Sequence, residues 1–274
     1  MKILVTGGAG FIGSYLVDKL VKDGHRVTIY DNLEPQVHHG KIPSYLNKDA
    51  EFVKADICDK DRLDRALKSI DVVFHEAAMV GVGQSMYEVA KYTKVNVYGT
   101  TVLLDLIVNE HRDHIQKLII AASMSEYGEG LYHCPRCADV KPGLRKEKDI
   151  KKKKWELYCS NGHGKLTPKP TPEDVALHCN SIYALTKRDQ EDMALVIGKA
   201  FNIPVVALRY FNVYGPRQSL SNPYTGVAAI FISRIKAKKN LIIFEDGSQS
   251  RDFVSVHDIV SANISAMNSD KANF

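Results

Sequence analysis

No stretch of this 274-residue sequence approaches eighteen consecutive apolar residues, which argues against a membrane-spanning helix. Met1 runs straight into "KILV" without the cationic and apolar regions of a secretory leader, so the chain is expected in the cytoplasm, away from membranes. Cysteine is sparse: five residues, two of them in a C-x-x-C, suit reduced thiols or a metal site rather than a disulfide framework. There is no internal repeat and no Ser/Gly-rich linker. Charge of either sign is nearly balanced outside one segment. From Cys134 to Lys165 ten lysines and arginines stand against four acids, a net of +6 in a chain of +5, which leaves the remainder at −1. The main body is therefore not a nucleic-acid surface.

What is present is an α/β pattern long enough for one large domain with an appendage. The β-branched, apolar runs "KILV", "RVTIY", "EFVKA", "DVVFH", "KLIIAAS" and "VVALRYF" read as strands. Phe11 to Lys22, Asp61 to Lys68 and Tyr87 to Glu110 read as helices between them. Continuous apolar strands alternating with helices predict a doubly wound parallel sheet covered on both faces. The one compositional break is Leu131 to Pro172, rich in Lys, Cys, Gly and Pro.

The first strand leads into "TGGAGFIGS", setting Gly7, Gly10 and Gly13 in G-x-x-G-x-x-G spacing at a strand-to-helix turn. Glycines there permit the tight turn and let the backbone approach a pyrophosphate, while the helix N-terminus offers free N–H groups. The second strand ends in Asp31, eighteen residues past Gly13. A carboxylate at that place accepts hydrogen bonds from ribose hydroxyls and repels a 2′-phosphate, favouring NAD over NADP. Asp56, in "KADICD", reads equally as an adenine contact or as a solvated loop acid.

In "NSIYALTK", Tyr183 and Lys187 lie four apart on one helical face. Beside a nicotinamide, the Lys187 ammonium and the ring's positive charge both favour phenolate, so Tyr183 can act as a base toward a substrate hydroxyl. Ser123, at the C-terminal end of "KLIIAAS", can share the hydrogen bond to that hydroxyl.

Together with these residues, "FHEAA" (Phe74 to Ala78), Asn96 in "KVNVYGT", "RYFNVYGPRQ" and "SRDFVSVHDIV" give a set that spans nearly the whole chain. The chain resembles the extended short-chain dehydrogenase/reductases of the sugar-nucleotide epimerase and dehydratase group. That resemblance implies a Rossmann-type body with a small C-terminal substrate-binding part, bound NAD, a dTDP- or UDP-linked sugar as substrate, and a homodimer formed through Tyr87 to Glu110 and the Tyr183 helix. It adds Phe11, Ile12, Asn32, Ile57, Ala77, Ala78 and Asn96 to the cofactor pocket. It gives Ser125, Asn212 and Arg251 to the nucleotide-sugar, with Phe244 near its base; a structural salt bridge is the other reading of Arg251. His75 is a structural residue on this view. The implied division is 1–130 for NAD, 131–172 for an insert, 173–215 for the remaining body with the catalytic helix, and 216–274 for a substrate part that in similar enzymes continues further.

Members that resemble 4,6-dehydratases carry an Asp-Glu pair after the serine, whereas Met124 and Ser125 follow Ser123 here. Glu126 would serve only with a one-residue shift, which keeps a dehydratase or decarboxylase open beside a 4-epimerase. A non-catalytic NAD-binding module is the reading from a different class.

About thirty-five residues look inserted between Ser123 and Tyr183. They hold Cys134-x2-Cys137 and Cys159-x3-His163, spacing that can close a tetrahedral structural zinc site; reduced, unligated thiols are the alternative. The dTDP-L-rhamnose 4-epimerase branch of the family carries a zinc-ribbon-like insert of this kind, with a final Cys where Gly162 stands here. His163 is expected to substitute, with His133 or Cys179 in reserve. The insert's lysines are expected over the substrate's anionic diphosphate.

Overall fold

The computed structural model describes residues 1–220 and 226–274. Its centre is a six-stranded, all-parallel sheet of β1 (Lys2–Thr6), β2 (Arg26–Asp31), β3 (Glu51–Lys54), β4 (Val72–His75), β5 (Lys117–Ser123) and, after the three strands of the insert, β9 (Val205–Tyr210). Their order across the sheet is β3-β2-β1-β4-β5-β9. Between them run helices α1 (Phe11–Lys22), α2 (Lys60–Leu67), α3 and α4 (Ile182–Phe201). The α3 run is assembled from Val89–Tyr92, Thr93–Tyr98, Gly99–Leu106 and Ile107–His111, its second and fourth pieces wound as π-helix. Sheet and helices form the doubly wound α/β fold that the alternating pattern predicts, of the Rossmann type that the resemblance implies.

Both faces are dry because successive strand residues point to opposite sides. Ile3 and Val5 of β1 join Leu16 and Leu20 of α1 and Val260 and Met267 on one face. Leu4 points the other way, to Leu63 and Leu67 of α2, Leu103 and Leu106 of α3 and Ala194 of α4. Each such buried aliphatic side chain contributes roughly 1.5–3 kcal/mol. Helix α2 begins at Lys60 because the Asp59 carboxylate caps it, accepting the Arg62 N–H at 3.1 Å.

"VVALRYF" does not stay one strand. Past Phe211 the chain leaves the main sheet and β10 (Asn212–Tyr214) pairs in parallel with β11 (Phe253–Ser255), next to which α6 (Val256–Asn268) starts under a Ser255 cap. Helix α5 (Val227–Lys236) lies between. The segment after β5 builds a separate three-stranded antiparallel sheet, β7-β6-β8, from β6 (Leu131–Cys134), β7 (Ala138–Val140) and β8 (Thr167–Lys169). Its own small core is Cys134, Cys159 and Leu166. Among the described residues, no helix is long and apolar enough to cross a membrane.

Candidate active site

The C-terminal ends of β1, β2, β4, β5 and β9 open on one cleft of about 480 Å³. Its floor is the β1–α1 turn. Gly7 holds a left-handed φ of 68°, and a Cβ on it would stand 2.7 Å from the Ala77 nitrogen. A Cβ on Gly13 would run into the Gly7 carbonyl oxygen. The glycines thus allow two chain segments to touch, which a side chain would prevent. No side chain caps α1 and no acid lies in its first turn, so its leading N–H groups, at Phe11, Ile12 and Gly13, are left for the cleft that these residues line.

Asp31 lines the same cleft at the end of β2, its carboxylate taking the N–H of Ala9 at 3.1 Å and of Leu33 at 2.8 Å. Burial raises its carboxyl above the usual range, against the pull of those two bonds and of His38. Uncapped donors at one end of the turn and a fixed carboxylate at the other suit a dinucleotide's diphosphate and ribose. Asn32, Ile57, Ala77 and Ala78 also line the cleft. Asp56 does not: its carboxylate is occupied by Asn32 Nδ2 at 3.0 Å and the Cys58 N–H at 2.9 Å. Asn96 is fully buried behind the wall, where it holds both backbone groups of Met79 and the Thr186 hydroxyl. It shapes the cleft without facing it.

Ser123 ends β5 and starts a short 3-10 turn, Met124–Tyr127. Its Oγ accepts the Ser125 N–H at 3.2 Å and the Ser125 hydroxyl at 2.9 Å, so its own proton remains to be donated. Ser181 caps α4 by accepting the Ala184 N–H at 3.1 Å, which sets Tyr183 in the first turn and Lys187 one turn on. Ser123, Ser125, Tyr183, Lys187 and Asn212 all line the cleft.

The protein's own groups do not acidify the phenol. Burial pushes Tyr183 up to about 12, offset in part by the Ser123 hydrogen bond. Burial also draws Lys187 down to about 8, against the attraction of Glu76 and Glu126. Lys187 Nζ donates to Gln190 Oε1 at 2.9 Å, and Gln190 in turn bonds Thr100 and the His75 ring. His75, buried and held by Thr6 at 2.8 Å, is driven down to about 3 and stays neutral, a structural member as expected.

Two other expected residues stand elsewhere. Phe244 is 76% exposed. Arg251 is exposed and its Nη1 bonds the neighbouring Ser250 carbonyl at 2.7 Å. Residues 237–252 form no strand or helix of their own, and neither side chain lines the cleft. The insert does not line it either. Its Lys151 to Lys154 side chains face solvent and Arg145 is drawn to Glu245 at 2.7 Å, so these cations are not over the cleft. Sequence reasoning missed Glu76 and Tyr210, which line the cleft and bond each other at 2.7 Å. The odd signal was an acid inside the apolar "FHEAA".

Within the insert, Cys134, Cys137, Cys159 and His163 place their ligand atoms within 4.8 Å of one another. The separations are 3.1 Å for Cys137 Sγ to His163 Nδ1, 3.6 and 3.7 Å for the other two sulfurs to that nitrogen, and 3.7 Å between Cys137 and Cys159. Zn–S and Zn–N bonds of about 2.3 and 2.0 Å at tetrahedral angles require edges of this size. Backbone N–H groups of Arg136 and Cys137 draw the Cys134 thiol down to about 6. The reserves stand apart, His133 beside Asp139 at 3.5 Å and Cys179 against the Glu126 carbonyl at 3.9 Å.

Residues 3–273 match the model of the NAD dependent epimerase/dehydratase family. The dTDP-L-rhamnose 4-epimerase of Burkholderia thailandensis is 36% identical over 273 residues, 97% of this chain and 72% of that protein. The UDP-N-acetyl-alpha-D-glucosaminuronate decarboxylase of Bacillus cytotoxicus is 32% identical, over 99% of this chain and 72% of that one. Among solved structures, UDP-glucuronic acid 4-epimerase from Bacillus cereus, in complex with UDP-glucuronic acid and NAD, is 31% identical and superposes with a TM-score of 0.77, over 100% of this chain and 75% of that chain.

Proposed function

The chain belongs to the NAD dependent epimerase/dehydratase family, and from that premise we propose that it catalyses 4-epimerisation of a dTDP-6-deoxyhexose or UDP-hexose through a transient 4-keto sugar. The observation that carries this reading is the convergence of Ser123, Tyr183 and Lys187 on the cleft that also holds the glycine turn and Asp31, with no carboxylate at Met124 or Ser125. Glu126, the remaining candidate for an eliminating acid, is fully buried and its Oε1 is taken by the Ser123 N–H. This weighs against a dehydratase.

Gly7, Gly10, Phe11, Ile12 and Gly13 would hold the NAD diphosphate, Asp31 and Asn32 the adenosine ribose, and Ile57, Ala77 and Ala78 the cleft walls beside it. When bound, NAD supplies a hydride acceptor and then donor at C4, and a positive charge that favours phenolate. Tyr183 takes the proton of the C4 hydroxyl and later returns it. Ser123, free only to donate, bonds the same sugar oxygen. Lys187, buried and facing Glu76 and Glu126, keeps its ammonium where it supports the ionised phenol. Ser125 and Asn212 line the substrate side.

The same reading assigns residues 1–130 and 173–215 to the NAD-binding body, 131–172 to the insert and 216–274 to the substrate side. It places one zinc per chain on Cys134, Cys137, Cys159 and His163, structural because all four positions are protein ligands. The exposed Val89 and Tyr98 on α3 and Leu185 and Val196 on α4 support a homodimer through those helices. Incubation with a panel of UDP- and dTDP-sugars, read by mass and NMR, tests the central claim: a C4 epimer of unchanged mass supports it, and loss of water or carbon dioxide rejects it.

A further inference from the structure

Behind Ser123, away from the cleft, three ionisable side chains from three elements meet. Glu126 lies fully buried in the turn after β5. Arg209, on β9, grips Glu191 of α4 with Nε at 2.9 Å and Nη2 at 2.5 Å, and its Nε lies 3.8 Å from Glu126 Oε2. The Tyr127 ring underlies this guanidinium at 5.0 Å and its hydroxyl accepts from Nη1 at 2.8 Å. Glu126 Oε1 accepts the Ser123 N–H at 2.8 Å, whereas Oε2 is buried with no hydrogen-bond partner among the described residues. The reaction proposed above gives Arg209, Glu191 and Tyr127 no part, and Glu126 only a charge facing Lys187.

A carboxyl buried beside a second carboxylate is unfavourable, and an apolar side chain would fill the same space without that cost. What a valine could not do is hold the Ser123 N–H while facing a cation tied to α4. We propose that Glu126 is a positioning residue: from the Ser123 N–H at one end, and through Arg209 to Glu191 at the other, it fixes the Ser123 hydroxyl relative to the Tyr183 phenol. The inference rests on the reading of Ser123 and Tyr183 as the reacting pair and deepens it. The tie joins the end of β5, β9 and α4, the three elements whose relative placement sets that spacing. The ionisable groups facing Glu126 are Glu191, Lys187 and Tyr183 from α4, Arg209 from β9 and Cys179 from the loop before α4. Burial and the Glu191 charge push Glu126 up to about 8, so near neutrality it carries the proton that keeps the cluster from holding two adjacent carboxylates.

The test uses the whole chain with Glu126→Val and Glu126→Gln, and reads the Ser123 amide and the Tyr183 ring carbon by NMR without cofactor or substrate. Glu126→Val is expected to move the Ser123 amide upfield and to leave Tyr183 titrating higher than in Glu126→Gln, which loses the same charge but keeps an acceptor for the Ser123 N–H. In turnover it should lower kcat roughly tenfold with KM nearly unchanged, the pattern of a lost transition-state contact. Glu126→Gln keeps an acceptor oxygen and is expected to retain at least about a third of kcat while losing any alkaline transition that belongs to Glu126. A folded Glu126→Val with the Ser123 amide unmoved and Tyr183 titrating as in Glu126→Gln overturns the proposal. If Glu126→Val does not fold, Arg209→Lys carries the test, since it keeps the charge and loses the fork on Glu191; unmoved Ser123 and Tyr183 signals in it likewise overturn the proposal. Should no nucleotide-sugar be turned over by the unmutated chain, the functional reading fails while the two resonances still decide this one.

Discussion

Tyr183 sits in the cleft with its proton on, because burial outweighs the Ser123 hydrogen bond that would stabilise the phenolate. Replacing it with Phe leaves the ring and removes the acceptor, so turnover should fall on the order of a hundredfold or more with NAD binding retained, as steady-state kinetics and cofactor titration would check. Asp31, fixed by two backbone donors, is expected to hold NAD well over NADP; Asp31→Ala should narrow the gap, and equal affinity in the unmutated chain would reject the assignment. Glu76 and Glu126 bear on stability. Burial raises them from 4.5 to about 7 and about 8, so both bind a proton more tightly folded than unfolded. The stability this contributes is full below about pH 4.5 and is lost as pH rises toward about 8. Denaturant melts across that window should show the decline, and Glu126→Gln, which cannot ionise, should make it shallower.

At the scale of elements, the insert and the main sheet fold on separate grounds. The six-stranded sheet is held by two apolar layers, whereas the three-stranded sheet of the insert buries little beyond two cysteines and a leucine. A core that small does not order a β-ribbon by itself, which is why four ligand groups converging within 4.8 Å matter to it. Metal analysis of desalted protein should give about one zinc per chain. Cys134→Ala should lower the order of residues 131–172 in hydrogen exchange while leaving the central strands protected, and a chain free of zinc would remove the proposal. The β1–α1 turn is equally specific: Gly13→Ala puts a methyl into the Gly7 carbonyl, so cofactor affinity should drop with the main sheet intact.

For the whole molecule the decisive readout is the fate of hydride. Substrate deuterated at C4 should give the C4 epimer at unchanged mass with deuterium still at C4, and no NADH should accumulate, because the hydride removed is returned. Stoichiometric NADH would instead mark a dehydrogenase. The exposed aliphatic and aromatic side chains of α3 and α4 predict a dimer in sedimentation that Val196→Glu weakens, since a charge at a buried contact is costly.

The order of strands and helices, the glycine turn, the end of β2 at Asp31 and the Tyr183–Lys187 spacing were legible in the sequence, because each depends on neighbours within a few residues or on a short apolar period. The spacing of Cys134, Cys137, Cys159 and His163 was legible for the same reason, and the structure brings these four groups within 4.8 Å of one another. What depends on packing across the chain was not. Only the fold decides that Asn96 turns behind the wall, that Asp56 is spent on Asn32, and that Phe244 and Arg251 lie off the cleft. Only the fold brings Glu126, Arg209 and Glu191 together from positions far apart in sequence, and burial there raises carboxyls and phenol alike. The physical reason is that charge state follows the dielectric and the partners around a group, and those are set by the tertiary structure rather than by the residue's own stretch of chain.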